Sequence, residues 1–440
     1  MRPIGIDLFA GAGGMSLGFE QAGFDVVAAV EIDPVHCAVH KFNFPQCAVI
    51  PRTVVGLSGS EIRLAAGIGS RQVDVVFGGA PCQGFSMIGQ RVLDDPRNAL
   101  VSEFLRIVHE LDAKAFVFEN VKGLTVGKHR QFLDEFVAMA NDLGYSIRLP
   151  WCVLNAAHFG TPQNRERLIL YGARRKAHLP QYPEATTRPA DGKGRGPTSV
   201  PKGPSVAEAI SDLPDADCFD ELMDWDSVRP EVWGNPSAYV RELRCVSNDA
   251  WHYGYVRNWD PGLLTSSIRT NHTQISRLRF SETKGGQTEP ISRFYKLSAS
   301  GLSNTLRAGT DGTRGAFTSP RPIHYQLDRC VTVREMARLH GYPDWFRLHE
   351  TKWHGARQIG NSVPPPLARA VAAQLIKALG YVPSRPFETL ELGELRLLGM
   401  TVSQAASHFG VVAPPSKRDR KSGATKRKQE DIERVRLAYG

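Results

Sequence analysis

The sequence has little that would anchor it through disulfides, metals or membranes. Its seven cysteines are an odd number, scattered with no CxxC pair and no Cys/His ligand spacing. Neither a disulfide framework nor a metal site is expected from that pattern. No apolar run approaches the roughly 18–20 residues of a membrane span, and Met1-Arg2-Pro3 leads straight into strand-like Ile4–Phe9. The expectation is no signal peptide, no membrane contact and a reduced, cytoplasmic setting. Charge is also not strongly one-sided, with 54 Lys+Arg against 45 Asp+Glu, a net +9 over 440 residues. Its placement says more than its size. Residues 241–330 hold 13 basic and 7 acidic side chains, and residues 416–440 hold 9 and 4. Two basic segments on an otherwise near-neutral to acidic body suit a polyanionic partner.

What is present is globular: 42% hydrophobic and 22% charged residues, at a length that calls for two or three domains. Over the first 175 residues, short β-rich runs alternate with amphipathic stretches. Ile4–Phe9, Val26–Glu31, Val73–Gly78, Ala115–Glu119 and Leu168–Gly172 read as strands, and Gly13–Ala22, Pro34–Phe42, Asn98–Leu111 and His129–Leu143 as helices. Such alternation predicts an α/β fold, a Rossmann-like, mostly parallel sheet covered on both faces. Past residue 175 the chain becomes rich in proline and glycine, and 176–330 predicts a smaller, irregular, largely β domain. Helices are expected again at Thr332–His340 and Pro365–Leu379, in a segment (331–384) that returns to the first domain. Residues 385–440 read as a basic, largely solvated extension, with half a helix-turn-helix at 399–410 before Pro414-Pro415.

Four places carry chemistry. Asp7-Leu8-Phe9-Ala10-Gly11-Ala12-Gly13-Gly14 ends a strand in a glycine-rich turn that feeds a helix, which lets a nucleotide-like ligand approach the backbone. Ser16 stands where the dinucleotide fingerprint needs its third glycine, so a nicotinamide enzyme is disfavoured. Glu31 ends the next strand, where an acid can take ribose hydroxyls, and Asp33 reads as a helix N-cap before Pro34. Gly78-Gly79-Ala80-Pro81-Cys82-Gln83-Gly84-Phe85-Ser86 places Cys82 in an open turn at the carboxyl edge of the sheet. That setting suits a nucleophilic thiolate, whereas the other six cysteines read as apolar filler. Glu119 ends an apolar strand, so its carboxyl should hold or share a proton and bond a ring nitrogen. Gln163, Arg165 and Arg167 alternate along a strand entrance, which predicts a polar, cationic row facing a cleft.

In this order, DLFAGAGG, EID, GGAPCQGFS, ENV, QNRER and QIGNSVPPPLA strongly resemble the DNA cytosine-5 methyltransferases, over about residues 4–175 and 325–380. The resemblance implies S-adenosylmethionine as cofactor, bound by Phe9, Gly11, Gly13, Glu31, Pro81 and Leu100, with Asn361, Ser362 and Val363 folding back to complete the site. It implies that Cys82 attacks C6 of a flipped cytosine in double-stranded DNA. Glu119 would bond N3 and the amino group, and Arg167 with Arg165 and Gln163 would orient the base. The stretch 85–98 would be a loop that closes over it. Two departures stand out. Ala80 replaces a common first proline, and Thr53 falls near where many members place an aspartate that reads adenine.

The uncovered middle is where such enzymes read their target. Ser86, Arg269, Asn271, Arg277 and Arg307 are the candidate DNA contacts, any one arginine meeting phosphate more often than a base. A monomer on DNA is expected, with a cognate restriction endonuclease as functional partner. A tRNA methyltransferase of similar architecture would not need so long a middle segment. A catalytically silent DNA-binding protein would not need Cys82, Glu119 and Arg167 together.

Overall fold

The computed structural model describes residues 2–81, 99–125, 130–192, 198–310 and 320–413. The β-rich runs form one sheet from β1 (Ile4–Leu8), β2 (Asp25–Val30), β3 (Ala48–Ile50), β4 (Val75–Gly78), β5 (Ala115–Val121), β6 (Tyr145–Ile147), β7 (Cys152–Asn155) and β8 (Glu166–Arg174). Its order is β3-β2-β1-β4-β5-β8-β6, with β7 also on β8. The first five strands are parallel, and β8 runs antiparallel to β5, β6 and β7. The chain leaves β1 towards β2 on one side and returns as β4 on the other. The carboxyl edge between β1 and β4 is therefore a topological switch point, where open α/β sheets bind ligands.

Helices α1 (Gly14–Ala22), α2 (Pro34–Asn43), α3 (Gly59–Ala65), α4 (Ala99–Glu110) and α5 (Arg130–Asp142) connect these strands. The mostly parallel sheet is as expected. The short β3, β6, β7 and α3 carry too few periodic residues to be read from sequence. Two apolar cores lie on the two faces: Phe104, Phe116, Phe118 and Phe136 under α4 and α5, and Phe19, Phe77 and Tyr171 under α1. Asp33 caps α2 by accepting from the Val35 amide at 2.9 Å, with Pro34 at the first helical position.

The segment 176–330 departs from expectation. Among its described residues are α6 (Val206–Ile210), α7 (Ala238–Leu243), a single three-residue strand β9 (Val256–Asn258) and α8 (Gln274–Glu282). It is not largely β: its apolar runs are too short to pair, and single bridges such as Lys296–Ile323 and Val228–Leu264 replace ladders. Nor does packing break at residue 176. Val206, Ala209, Ile210, Leu297 and Leu306 belong to the same core as α1, and Arg257 makes a buried ion pair with Glu20 at 2.8 Å.

The returning segment supplies α9 (Val333–His340), α10 (Lys352–Asn361) and α11 (Pro365–Ala378). Every residue of α9 is buried, its charges included. Arg338 meets Asp212 and Asp344, Arg329 meets Glu335, and Arg347 meets Asp226. These pairs bolt the 212–226 stretch to the scaffold. Helix α11 lies along α1, whose nine residues are all buried; a Cβ at Gly18 would come within 2.4 Å of the Ala368 Cβ. The extension also differs from its reading as solvated chain. Strand β10 (Thr389–Glu391) pairs in parallel with β9, and α12 (Val402–Phe409) packs with Leu397 and Leu398 on Val35, Val39 and Phe42 of α2. No helix among the described residues is long and apolar enough to cross a membrane.

Candidate active site

A cleft of about 770 Å³ opens at the switch point. It is walled by the turn after β1, the ends of β2, β4 and β5, the 305–308 tract and the 360–363 loop. The turn after β1 is tightly specified. Phe9 adopts φ 62, a strained conformation for a residue with a side chain, and Gly11 follows at φ 55. Ala10 donates to the Val30 carbonyl and Gly11 donates to a Glu31 carboxylate oxygen at 2.8 Å. The other Glu31 oxygen accepts from the Asp33 amide at 2.8 Å. Two amides thus fix the carboxylate at the cleft edge, and its remaining lone pairs are free to accept hydroxyls.

Phe9, Gly11, Glu31, Pro81, Leu100, Asn361, Ser362 and Val363 all border this cleft. Gly13 does not. It holds φ 99, and a Cβ there would lie 2.5 Å from the Phe44 ring, so its glycine serves the turn and the packing beneath it. Gly14 borders the cleft, but a Cβ on it would crowd Tyr342 and the Val363 carbonyl at 2.6 and 2.7 Å. The glycines after β1 therefore also make room for the returning chain, not only for a ligand. Thr53 and Val54 border the cleft near Glu31, and the Thr53 hydroxyl is taken by the Val55 amide.

Ser16, in place of a third glycine, is buried and donates to Asp7 Oδ2 at 2.6 Å, with His40 Nε2 at 3.1 Å. Burial pushes the Asp7 carboxyl up to about 8, Ser16 hydrogen bonds pull it down and the Glu31 charge adds to the rise. An unfolded aspartate titrates near pH ~4, so between these values the folded state binds the extra proton. Stability from this group is complete below the lower value and is lost as pH rises through the upper one. Asp7→Asn keeps a neutral acceptor for Ser16 and should flatten the fall in melting temperature across roughly pH 4–8. Parallel wild-type and variant curves would reject this assignment.

At the other end of the cleft, Glu119 is buried at the end of β5, with Oε1 2.7 Å from Arg167 Nε. Burial pushes its carboxyl up, against the pull of Arg167 and Arg165, and the net shift is upward. Gly79 lies flat against it: a Cβ there would fall 2.3 Å from Glu119 Oε2. The neighbouring Asn120 donates to the Ala80 carbonyl at 3.1 Å, holding the turn that leads through Pro81 to Cys82. Cys82, Ser86 and the 85–98 stretch lie outside the described residues.

The cationic row is only partly realised. Arg167 reaches Glu119, but Gln163 is fully buried and bonds the Leu339 carbonyl and the His340 ring. Arg165 borders the cleft yet donates to three carbonyls, those of Leu306, Gly360 and Ser362, at 2.9, 2.8 and 2.7 Å. Burial pushes its guanidinium pKa down to about 9. Alternation gave the correct side of the chain, but the 305–308 and 360–362 loops cover that side before β8 begins. The Gln163 amide nitrogen is committed to these two bonds, whereas Arg165 keeps a buried Nε without a partner among the described residues.

Of the candidate DNA contacts, Arg307 is exposed at the cleft and Asn271 is exposed next to α8. Arg269 donates to the Asp217 carbonyl and pairs with Asp220 at 2.9 Å, and Arg277 pairs with Asp217 at 2.7 Å. Both guanidinium charges are thus met by the chain's own carboxylates. Sequence reasoning missed Gly79, Asn120 and Arg357 as cleft or near-cleft residues, and placed Thr305 and Ala308 only in a DNA-reading stretch. Only the proximity of Gly79 and Asn120 to the two motifs could have pointed to them.

A family model for the C-5 cytosine-specific DNA methylases matches residues 4–377. The chain is 57% identical over 410 residues, 93% of each protein, to the Type II methyltransferase M.XorII of Xanthomonas oryzae pv. oryzae. It is 32% identical over 435 residues to the Type II methyltransferase M.AgeI of Thalassovita gelatinovora, covering 85% of this chain and 99% of that one. A crystal structure of a prophage-encoded putative DNA modification methyltransferase from E. coli is similar at a TM-score of 0.67 and 30% identity. It covers 86% of this chain and 99% of that one.

Proposed function

The chain belongs to the C-5 cytosine-specific DNA methylase family, and from that premise we propose how its cleft divides the work of methylating cytosine at C5. Members depend on S-adenosylmethionine, which when bound supplies an electrophilic methyl group on a sulfonium. The residues present fit such a molecule: a fixed carboxylate at Glu31 for ribose hydroxyls, and an apolar rim from Phe9, Pro81, Leu100 and Val363. Asn361 and Ser362 close the site from the returning segment.

At the opposite end, Cys82 adds its thiolate to C6 of an extruded cytosine, since the ring carbon is unreachable in a stacked duplex. Addition pushes electron density towards N3 and C5. Glu119, whose carboxyl is raised by burial, holds a proton at N3 and so stabilises that density. Arg167 orients Glu119 and offers further donors to the C2 carbonyl oxygen of the base. The electron-rich C5 takes the methyl group, after which loss of the C5 proton to solvent expels the thiolate from C6 and restores aromaticity. The observation that carries this reading is the buried Glu119–Arg167 pair seated against Gly79, three residues before Cys82 in the sequence.

Double-stranded DNA is the proposed partner, engaged by a monomer, with Arg307 and Asn271 as contacts. Relatives of the Type II class support action beside a cognate restriction endonuclease. Expression in a host lacking its own cytosine methylation, followed by sequencing that maps 5-methylcytosine, should show one recurrent duplex motif. Labelled methyl groups appearing in tRNA and not in DNA would overturn the reading.

The close fit at Gly79 gives a sharper prediction. In Gly79→Ala the new methyl displaces the Glu119 carboxylate, and misplacing a catalytic group by about 1 Å costs on the order of 10²-fold in rate. The expected result is a fall of that order in kcat with DNA affinity kept, read by labelled methyl incorporation and gel shift. Wild-type kcat in the variant would remove Glu119 from its role.

A further inference from the structure

A chain of buried polar groups that the chemistry does not use joins two walls of the cleft. The Leu306 amide donates to Gln163 Oε1 at 3.2 Å. The Gln163 amide nitrogen lies 2.9 Å from His340 Nδ1, and His340 Nε2 lies 3.0 Å from the Ser362 hydroxyl. That hydroxyl lies 2.9 Å from the Ile359 carbonyl and donates to it. An amide NH2 can only donate, so Nδ1 accepts and the His340 proton resides on Nε2. Every link then has one donor and one acceptor. Burial, with Arg165 and Arg167 nearby, holds the ring well below its usual pKa and so neutral. Arg165 adds a second tie, from the Leu306 carbonyl to those of Gly360 and Ser362. Where the walls touch, Gly360 admits no side chain, since a Cβ would sit 2.2 Å from the Ala308 nitrogen.

The two loops therefore order as one body, and whichever ligand fixes one of them has already met the cost of ordering the other. We propose that His340 is a positioning residue that couples the walls. Duplex DNA engaging the 305–308 tract and the nucleoside-sulfonium cofactor engaging the 361–363 loop each raise the other's affinity through it. The inference rests on the assignment of those two walls to those two ligands under the proposed function. Its reciprocity is required by thermodynamic linkage. A ring with one donor and one acceptor is what the position needs, and glutamine offers both at similar reach whereas leucine offers neither.

The test is calorimetric titration of S-adenosylhomocysteine into the full-length enzyme, alone and with a short duplex carrying the mapped target motif. In the wild type the duplex should tighten binding by about fivefold or more. His340→Leu should bring that ratio close to one while the enzyme alone still binds S-adenosylhomocysteine, and His340→Gln should restore it. Gln163→Met, which breaks the same chain on the other side of the ring, should act like His340→Leu and stands in for it if that variant does not fold. A wild-type ratio of one, or an undiminished ratio in His340→Leu or Gln163→Met, overturns the inference. A wild type that binds no S-adenosylhomocysteine, or no duplex, overturns the wall assignments instead.

Discussion

Cys82→Ser should abolish methyl transfer, a loss of at least about a thousandfold, while binding of duplex DNA and cofactor should stay near wild type. A serine hydroxyl is un-ionised at neutral pH and is a far weaker nucleophile than a thiolate unless a base activates it. It cannot add to a ring carbon that a thiolate reaches readily. Glu119, Arg167 and the Glu31 carboxylate do not depend on the sulfur for their own bonds, which is why binding should survive. Two measurements separate the outcomes. Labelled methyl incorporation reports turnover, and a duplex with 5-fluorocytosine at the target reports the adduct, because fluorine at C5 leaves no proton to lose. The wild type should form a complex that survives denaturing electrophoresis and Cys82→Ser should not. Retained turnover in the variant would end the covalent mechanism.

Arg338→Met should have the largest effect on stability, a loss of about 3–5 kcal/mol, because it removes the nearest cation from two interior carboxylates. Each is left with only a more distant arginine, Arg244 or Arg334, at 3.7 Å. Arg338 is fully buried between Asp212 and Asp344, with Asp344 Oδ2 at 2.6 Å and Asp212 Oδ1 at 3.1 Å. Burial pushes both carboxyls up and Arg338 pulls both down. The pull wins at Asp344, which lies below its usual range, and loses at Asp212, which lies above. Methionine replaces the volume but not the charge. Denaturant unfolding should show the loss, and adding Asp212→Asn and Asp344→Asn should recover much of it. A triple variant no more stable than Arg338→Met would mean that packing, not uncompensated charge, sets the cost.

Much of the cofactor lobe was legible because its elements are local. Val35, Val39 and Phe42 repeat at helical spacing, and β1, β2, β4 and β5 are continuous apolar runs bounded by turn residues. Glu31 and Glu119 were legible for a related reason, since a strand end places a side chain at the edge where parallel sheets bind ligands. What was not legible came from contacts made across hundreds of residues. Alternation identified the face of Gln163 and Arg165 but not the loops from 305 and 360 that cover it. Arg269 and Arg277 read as free cations because Asp220 and Asp217 lie roughly fifty and sixty residues earlier. Tail residues 397–409 read as solvated because their partner surface on α2 is exposed to prediction only as one more amphipathic helix.

The packing of α1 on α11 bears on how the protein is made. Helix α1 leaves the ribosome early, but its partner face is encoded from Pro365 onward. At ~5–20 residues per second, the roughly 340 residues between them take on the order of 20–70 seconds to synthesise. Throughout that interval Gly14, Gly18 and Gln21, which in the finished enzyme lie against Val363, Ala368 and Arg369, have no permanent neighbour on that side. The nascent chain is a natural client for chaperones, and slower growth at lower temperature should favour soluble yield. Until residue 363 has been made, the nascent chain also lacks the 361–363 wall of its cleft.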